Sequence, residues 1–358
     1  MINPMTNRPP LIIPIFLPYA GCRNRCLFCN QKATPDETLS PSAVRPFIEA
    51  SLRTLPSHRS PREKQVAFYG GSFTAMEKED QISYLREVQP FLSSGLIESV
   101  RISTRPDGLD EETLARLKAL GVKTVEIGVQ TMVDEVLLRS HRGHRAEDTR
   151  MATAHLKQGG FEVGHQLMIG LPGDTFARFQ QTLDRIIDLE PDFLRIHPTL
   201  VLRDSPLETL WRDGIYAPLS LEETVQWLKS GLLKLERSSI RVARLGLQTT
   251  GDLERDTLAG PFHPALHHLV DSAIFFDMAK HLLQNNQKGF RVLFLCHPGD
   301  VSNLRGQRNE NLLKLREAFG LEEISVQGAE DAPRGSLVLQ TKTGNTSIHR
   351  KELVDHAN

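Results

Sequence analysis

Three cysteines crowd into one short run, Ala20-Gly21-Cys22-Arg23-Asn24-Arg25-Cys26-Leu27-Phe28-Cys29-Asn30, and Cys296 is the only other cysteine in 358 residues. A CxxxCxxC loop can fold Cys22, Cys26 and Cys29 around one centre. Three soft thiolates suit an iron–sulfur cluster or zinc rather than magnesium or calcium. A cubane cluster with three protein ligands leaves one iron open for chemistry. Structural zinc is the competing reading, with Cys296 or a histidine as fourth ligand, although such sites usually pair two CxxC units. Cys296 lies in an alternating apolar strand and reads as a buried, inert thiol. His141, His144 and His197 have the chemistry for catalysis; for His197 a satisfied core position is an equal reading.

Composition narrows the classes. The chain is 39% hydrophobic and 24% charged, with 43 basic against 44 acidic residues, so no global field favours nucleic acid or anionic membrane. The apolar run Leu11–Pro18 is too short to span a bilayer and carries two prolines. It also lacks a signal-peptide cleavage site. Tight clustering of so few cysteines argues against a secreted disulfide framework and for a cytoplasmic protein.

Positioning such residues requires a scaffold. Short apolar runs at Leu11–Leu17, Gln65–Tyr69, Ser99–Ser103, Thr124–Val129, Glu162–Ile169 and Phe193–Leu200 alternate with helical patterns near 41–54, 78–93, 110–119, 146–159, 175–189 and 221–235. That alternation predicts βα units and a parallel sheet. Six units in succession predict an α/β fold, a partial (β/α)6 barrel of the TIM type. Its binding residues belong at the C-terminal strand ends. The cysteines follow strand one, Gly70-Gly71-Ser72-Phe73-Thr74 follows strand two and Thr104-Arg105-Pro106-Asp107 follows strand three. Gln130 through His144 follow strand four and Gly170-Leu171-Pro172-Gly173-Asp174 strand five. Chemistry-bearing residue types thus gather on one rim. The Gly170 turn lacks the Lys-Ser/Thr of a P-loop. The expected domains are the barrel over 1–250, a connector and amphipathic helix over 251–285, and a small α+β domain over 286–358.

These motifs carry a resemblance. The cysteine loop, Tyr69–Thr74, Ile102–Asp107, Glu126–Thr131 and Leu167–Asp174, in this order, resemble radical S-adenosylmethionine (radical SAM) enzymes. The similarity covers roughly the first 250 residues. It is strongest to the branch of the Elongator catalytic subunit and weaker to oxygen-independent coproporphyrinogen oxidases. The resemblance implies a [4Fe–4S] cluster on Cys22, Cys26 and Cys29 whose open iron chelates the amino and carboxylate groups of S-adenosylmethionine. One electron, from a donor such as flavodoxin or ferredoxin, then yields methionine and a 5′-deoxyadenosyl radical. It further implies that Phe28 lies near the adenine, and that backbone at Gly70, Gly71 and Ser72 receives the methionine ammonium. Ser103 stands where relatives contact the ribose, often with a carboxylate instead. Gln130 faces the ribose hydroxyls, and Gln166 and Gly170 belong to the strand flanking adenine. Arg142 matches a basic residue that pairs with the methionine carboxylate, with Arg139 and Arg145 as competitors. Against these roles stand plainer ones: a tight turn at Gly70-Gly71, and solvated rim positions for Gln130 and Arg142.

The C-terminal segment has the element order of a KH-type RNA module, a helix pair around Gly306-Gln307-Arg308-Asn309 followed by strands, with asparagine replacing the second glycine of GxxG. Arg305, Arg308 and Lys314 could meet phosphates; a cap over an open barrel side is the competing reading. Elongator subunits modify tRNA, which points to RNA as substrate. They also carry an acetyltransferase domain, for which only about a hundred residues remain here, so their acetyl-dependent reaction does not transfer. Two alternatives stand beside an RNA-modifying radical enzyme. One is an RNA-binding protein with a structural metal site; the other is a radical enzyme acting on a small metabolite or tetrapyrrole.

Overall fold

The computed structural model describes residues 10–23, 25–30, 38–55, 62–238, 240–285, 291–341 and 344–353, in two compact units. The first runs to Pro218 and takes in Gln248–Gly260; the second comprises Leu219–Leu247 and the chain from Pro261. Residues 219–247, which sequence order groups with the barrel, fall in the second unit.

In the first unit the order is β1 (Leu11–Leu17), α1 (Pro41–Thr54), β2 (Lys64–Gly70), α2 (Lys78–Ser93), β3 (Ser99–Thr104), α3 (Glu111–Ala119), β4 (Val122–Gln130), α4 (Asp134–Arg139), α5 (Ala146–Gln158), β5 (Glu162–Ile169), α6 (Phe176–Leu189) and β6 (Phe193–Pro198). The six strands pair in parallel in chain order, forming a partial TIM-type barrel. Its helices start where the chemistry allows. Asp110 accepts from the Thr113 amide at 2.8 Å to cap α3, and Thr175 accepts from the Arg178 amide at 3.2 Å to cap α6.

Alternation along the strands separates two faces. One carries Val66, Phe68, Val100, Ile102, Val125, Ile127, Val163, Leu167, Leu194 and Ile196, all buried. These make the apolar layer that parallel sheets covered by helices require. The other carries Gln65, Arg101, Glu126, Gln166 and Arg195; Arg101 donates to Gln65 at 2.9 and 2.8 Å, and the rest meet at Glu126 as described below. After β6 come β7 (Val201–Leu202) and α7 (Pro206–Arg212).

The chain then contributes α8 (Leu221–Leu235) and β8 (Arg241–Leu245) to the second unit, and returns to the first with α9 (Gly251–Asp256) and β9 (Thr257–Ala259), antiparallel to β7. The start of the expected connector thus holds a short helix and a short strand. The rest of the second unit is α10 (Leu266–Asn285), β10 (Arg291–Cys296), α11 (Val301–Arg305), α12 (Glu310–Phe319), β11 (Glu323–Gly328), β12 (Ser336–Thr341) and β13 (Gly344–His349). Its sheet runs β11-β10-β12-β13, with β10 and β11 parallel and the other pairs antiparallel. The turn between α11 and α12 places Gly306, Arg308 and Asn309 at positive φ. Within this unit Arg350 pairs with Glu236 at 2.7 Å and Asp271 at 3.0 Å. Cys296 is fully buried and its thiol is pushed up to about 11, first by burial and then by Asp300. No helix among the described residues is long and apolar enough to cross a membrane.

Candidate active site

The cysteine loop is held by backbone. Leu17 accepts from the Ala20 amide at 3.2 Å and the Gly71 amide at 3.0 Å, and the Ala20 carbonyl accepts from the Ser72 amide at 2.7 Å. A Cβ at Gly71 would lie 2.0 Å from the Ala20 oxygen, and one at Gly21 would lie 2.3 Å from the Ser72 oxygen. Both glycines are thus needed for two turns to interlock. What approaches closely at Gly71 is the loop bearing the cysteines. Gly71→Ala is expected to cost at least the overpacking range of about 1–3 kcal/mol. It should also lower iron retention, read by urea unfolding and by iron content after reconstitution; unchanged values in both would refute the interlock.

Further ties come from later elements. Leu27 donates its amide to the Ser140 carbonyl at 3.1 Å and accepts at its own carbonyl from the Leu207 amide at 2.8 Å. Leu27 packs with Val201, Leu207 and Tyr216, and Phe28 joins that cluster beside Trp211 and Leu258. The loop is therefore held from three directions.

Cys26 is buried, and the Arg142 Nη1 donates to its Sγ at 3.2 Å. The Cys22 thiol is pushed up by burial and by Cys26, while Arg142, Arg105 and the Ser72 backbone oppose the shift. The two sulfurs and the two guanidinium groups therefore share one electrostatic neighbourhood. Arg105 forms a two-pronged pair with Asp107, both contacts at 2.8 Å. His144 is buried with neither ring nitrogen in hydrogen-bond geometry. Burial, then Arg142 and Arg105, push its ring down to about 3, so it is neutral between two cations; Asp107 and the nearby Val129 backbone oppose this only weakly. The solvated-rim reading of Arg142 fails, since the residue is 8% exposed. Its competitors point elsewhere: Arg139 pairs with Glu135 at 2.7 Å and Arg145 is exposed. A cleft of about 630 Å³ opens beside this cluster, lined by Gly21, Arg23, Ser72, Arg105, Asp107 and Met151 among others.

The remaining predicted residues divide. Ser72 is buried and committed to protein partners, the Thr104 hydroxyl and the Arg105 amide, each at 3.1 Å. Gln130 is buried at a positive φ of 67°, beside a register break between β4 and β5. Such strained backbone on a non-glycine residue concentrates at functional positions. Gly170 accepts at its carbonyl from the Tyr216 hydroxyl at 2.6 Å and donates its amide to Asp174 at 3.0 Å. Burial pushes the Asp174 carboxyl up to about 6, against the Gly170 and Thr175 amides. The folded state thus binds this proton more tightly than the unfolded chain does. Stability is lost as pH rises from about 4 to 6. Asp174→Asn is expected to flatten that part of the urea-midpoint profile relative to the parent protein, and parallel profiles would contradict it.

Gln166 approaches Ser103 at 3.5 Å but bonds Glu126 at 2.9 Å. That carboxylate is the hub of a network the sequence reading missed. Arg101 bonds it at 2.8 Å, Arg195 pairs with it at 3.0 Å and the Tyr69 hydroxyl donates at 3.1 Å. Burial alone would raise Glu126; Arg195 and Arg101 outweigh it and hold the carboxyl below its ordinary range. Polar residues at alternate positions, complete in β3 and partial in β2, β4, β5 and β6, were the available signal.

The donor set is chemically suited to an iron–sulfur cluster: thiolates, an arginine donor on one sulfur, and orphaned buried nitrogens at Arg142 Nε and His144. Among the described residues no three Cys, His, Asp or Glu side chains gather tightly enough for a single metal ion.

Partial barrel and cysteine loop together define the architecture of a radical SAM enzyme. The chain belongs to the radical SAM superfamily, whose profile matches residues 16–186, followed by the radical SAM C-terminal domain over 191–275. It is 30% identical over 220 residues to a tRNA uridine(34) acetyltransferase of Methanocaldococcus jannaschii, covering 54% of this chain and 41% of that protein. It is 28% identical to the Escherichia coli protein YhcC, over 56% of this chain and 64% of that one. Human Elongator complex protein 3 is 27% identical over 62% of this chain and 47% of its own. The solved archaeal Methanocaldococcus infernus Elp3 superposes with a TM-score of 0.61 at 23% identity, over 77% of this chain and 64% of that one. The chain thus spans from about two-fifths to just over half of the acetyltransferase relatives it matches.

Proposed function

We propose that the protein cleaves S-adenosylmethionine reductively and uses the resulting radical to modify RNA. Cys22, Cys26 and Cys29 would hold a [4Fe–4S] cluster, which supplies the electron for cleavage when loaded. The observation that carries this reading is the bond from buried Arg142 to Cys26 at the rim of the barrel. Here the chain's own residues orient and exclude water. The interlocked glycine turns fix the loop, the Leu27–Phe28 cluster closes one side, and strained Gln130 stands at the mouth for the ribose. Phe28, Gly170, Gln166 and Ser103 would contact the adenosine, as the resemblance implies.

RNA as substrate is supported by the name of the acetyltransferase relatives and by the turn at Gly306–Asn309, where Arg305 and Arg308 are exposed. Flavodoxin or ferredoxin is the proposed donor class. Anaerobic reconstitution should give brown protein that forms 5′-deoxyadenosine with dithionite; colourless protein holding one zinc would reject the enzyme reading. Deuterium passing from labelled cellular RNA into 5′-deoxyadenosine tests the substrate. Arg308→Ala should weaken RNA binding uniformly and reduce the salt slope by about one. An unchanged slope, with turnover on small metabolites, would move the assignment to a small-molecule substrate.

A further inference from the structure

Gly128 lies in β4, outside the positive-φ residues. Backbone conformation therefore does not demand glycine there. A Cβ at Gly128 would instead lie 2.5 Å from Arg142 Nη2 and would displace the end of that side chain. The same nitrogen donates to the Gly128 carbonyl at 2.6 Å while Nη1 reaches Cys26 Sγ at 3.2 Å. The guanidinium is thus clamped between a strand carbonyl and a thiol sulfur, through a gap that exists because residue 128 has no side chain. Of the other cations nearby, Arg23 is exposed to solvent. Arg105 is neutralised by Asp107, and His144 is uncharged. Among the described residues no carboxylate pairs with Arg142.

We propose that Arg142, steered by Gly128, sets the reduction potential of the cluster held by the three cysteines. The inference rests on the cluster reading above and departs from the carboxylate-pairing role implied for Arg142 by resemblance. Taking up one electron adds one negative charge, with no proton or bond exchanged. A buried cation that donates to a ligand sulfur favours the more negative, reduced state, and hydrogen bonds to sulfur are among the determinants of such potentials. Loss of the donor therefore lowers the potential.

The test is a redox titration, followed by electron paramagnetic resonance, of the reconstituted full chain without S-adenosylmethionine, normalised to iron and sulfide. Arg142→Met is expected to reduce the equilibrium constant for one-electron reduction at least tenfold, a shift of about 59 mV to more negative values. Gly128→Ala should move the potential in the same direction by displacing the guanidinium, and Arg142→Lys, which keeps the charge, should shift it less than Arg142→Met does. If Arg142→Met does not assemble a cluster, neutral Arg142→Gln decides by the same tenfold criterion. An unmoved potential at parental iron content overturns the proposal. So does a shift that appears only once S-adenosylmethionine is added, because that marks a carboxylate partner. Failure of the parent protein to assemble a cluster would instead overturn the underlying reading, and is seen before any variant is made.

Discussion

Cys26→Ala is expected to abolish the iron–sulfur chromophore and to reduce 5′-deoxyadenosine formation to background, while the protein remains folded. Cys26 is the thiol already engaged by a buried arginine, so its loss removes a proposed ligand and strands a donor. The stranded donor costs about 1–3 kcal/mol. The loop itself persists, because Leu27 keeps its backbone bonds to Ser140 and Leu207. Absorbance near the visible charge-transfer bands, iron content and product assay read the first effect; circular dichroism and urea unfolding read the second. Full cluster content in the variant would remove Cys26 from the ligand set. Collapse of the fold would show that the loop depends on the thiol itself.

The second large effect is on stability. Glu126→Gln is expected to cost up to about 3–5 kcal/mol, since it takes the shared counter-charge from buried Arg101 and partly exposed Arg195 and leaves Arg101 only the longer pair with Glu162 at 3.6 Å. Arg101→Met should cost less, because Arg195 continues to pair with the carboxylate. The pH dependence follows from the direction of the Glu126 shift. Its folded form holds the proton less tightly than the unfolded chain, so its contribution is present above the ordinary glutamate range of about 4.3 and is lost as pH falls below it. The difference between parent and Glu126→Gln in urea midpoint should therefore shrink at acid pH. A constant difference from pH 7 down to 3 would mean that the carboxylate charge is not what holds the network.

Much of the barrel was legible in one dimension. β1 and β5 coincide with the apolar runs Leu11–Leu17 and Glu162–Ile169, and the helices at 41–54 and 78–93 lie where helical spacing puts them. Apolar periodicity is local, so a single sequence records it. The Glu126 network was not legible. Its members sit on five strands, and the same segments read as apolar runs when the polar alternate positions are passed over.

The family was written in residue identity: three close thiols, and glycines where strands end. Arrangement was not. That Gly71 exists to admit Ala20, that Gly128 exists to admit Arg142, and that Arg142 rather than Arg139 or Arg145 reaches the sulfur are decided by contacts between segments far apart in the chain. Spacing along a chain constrains neighbours within a turn or two of backbone. Only the packed sheet determines which distant side chain occupies the space a missing Cβ leaves open.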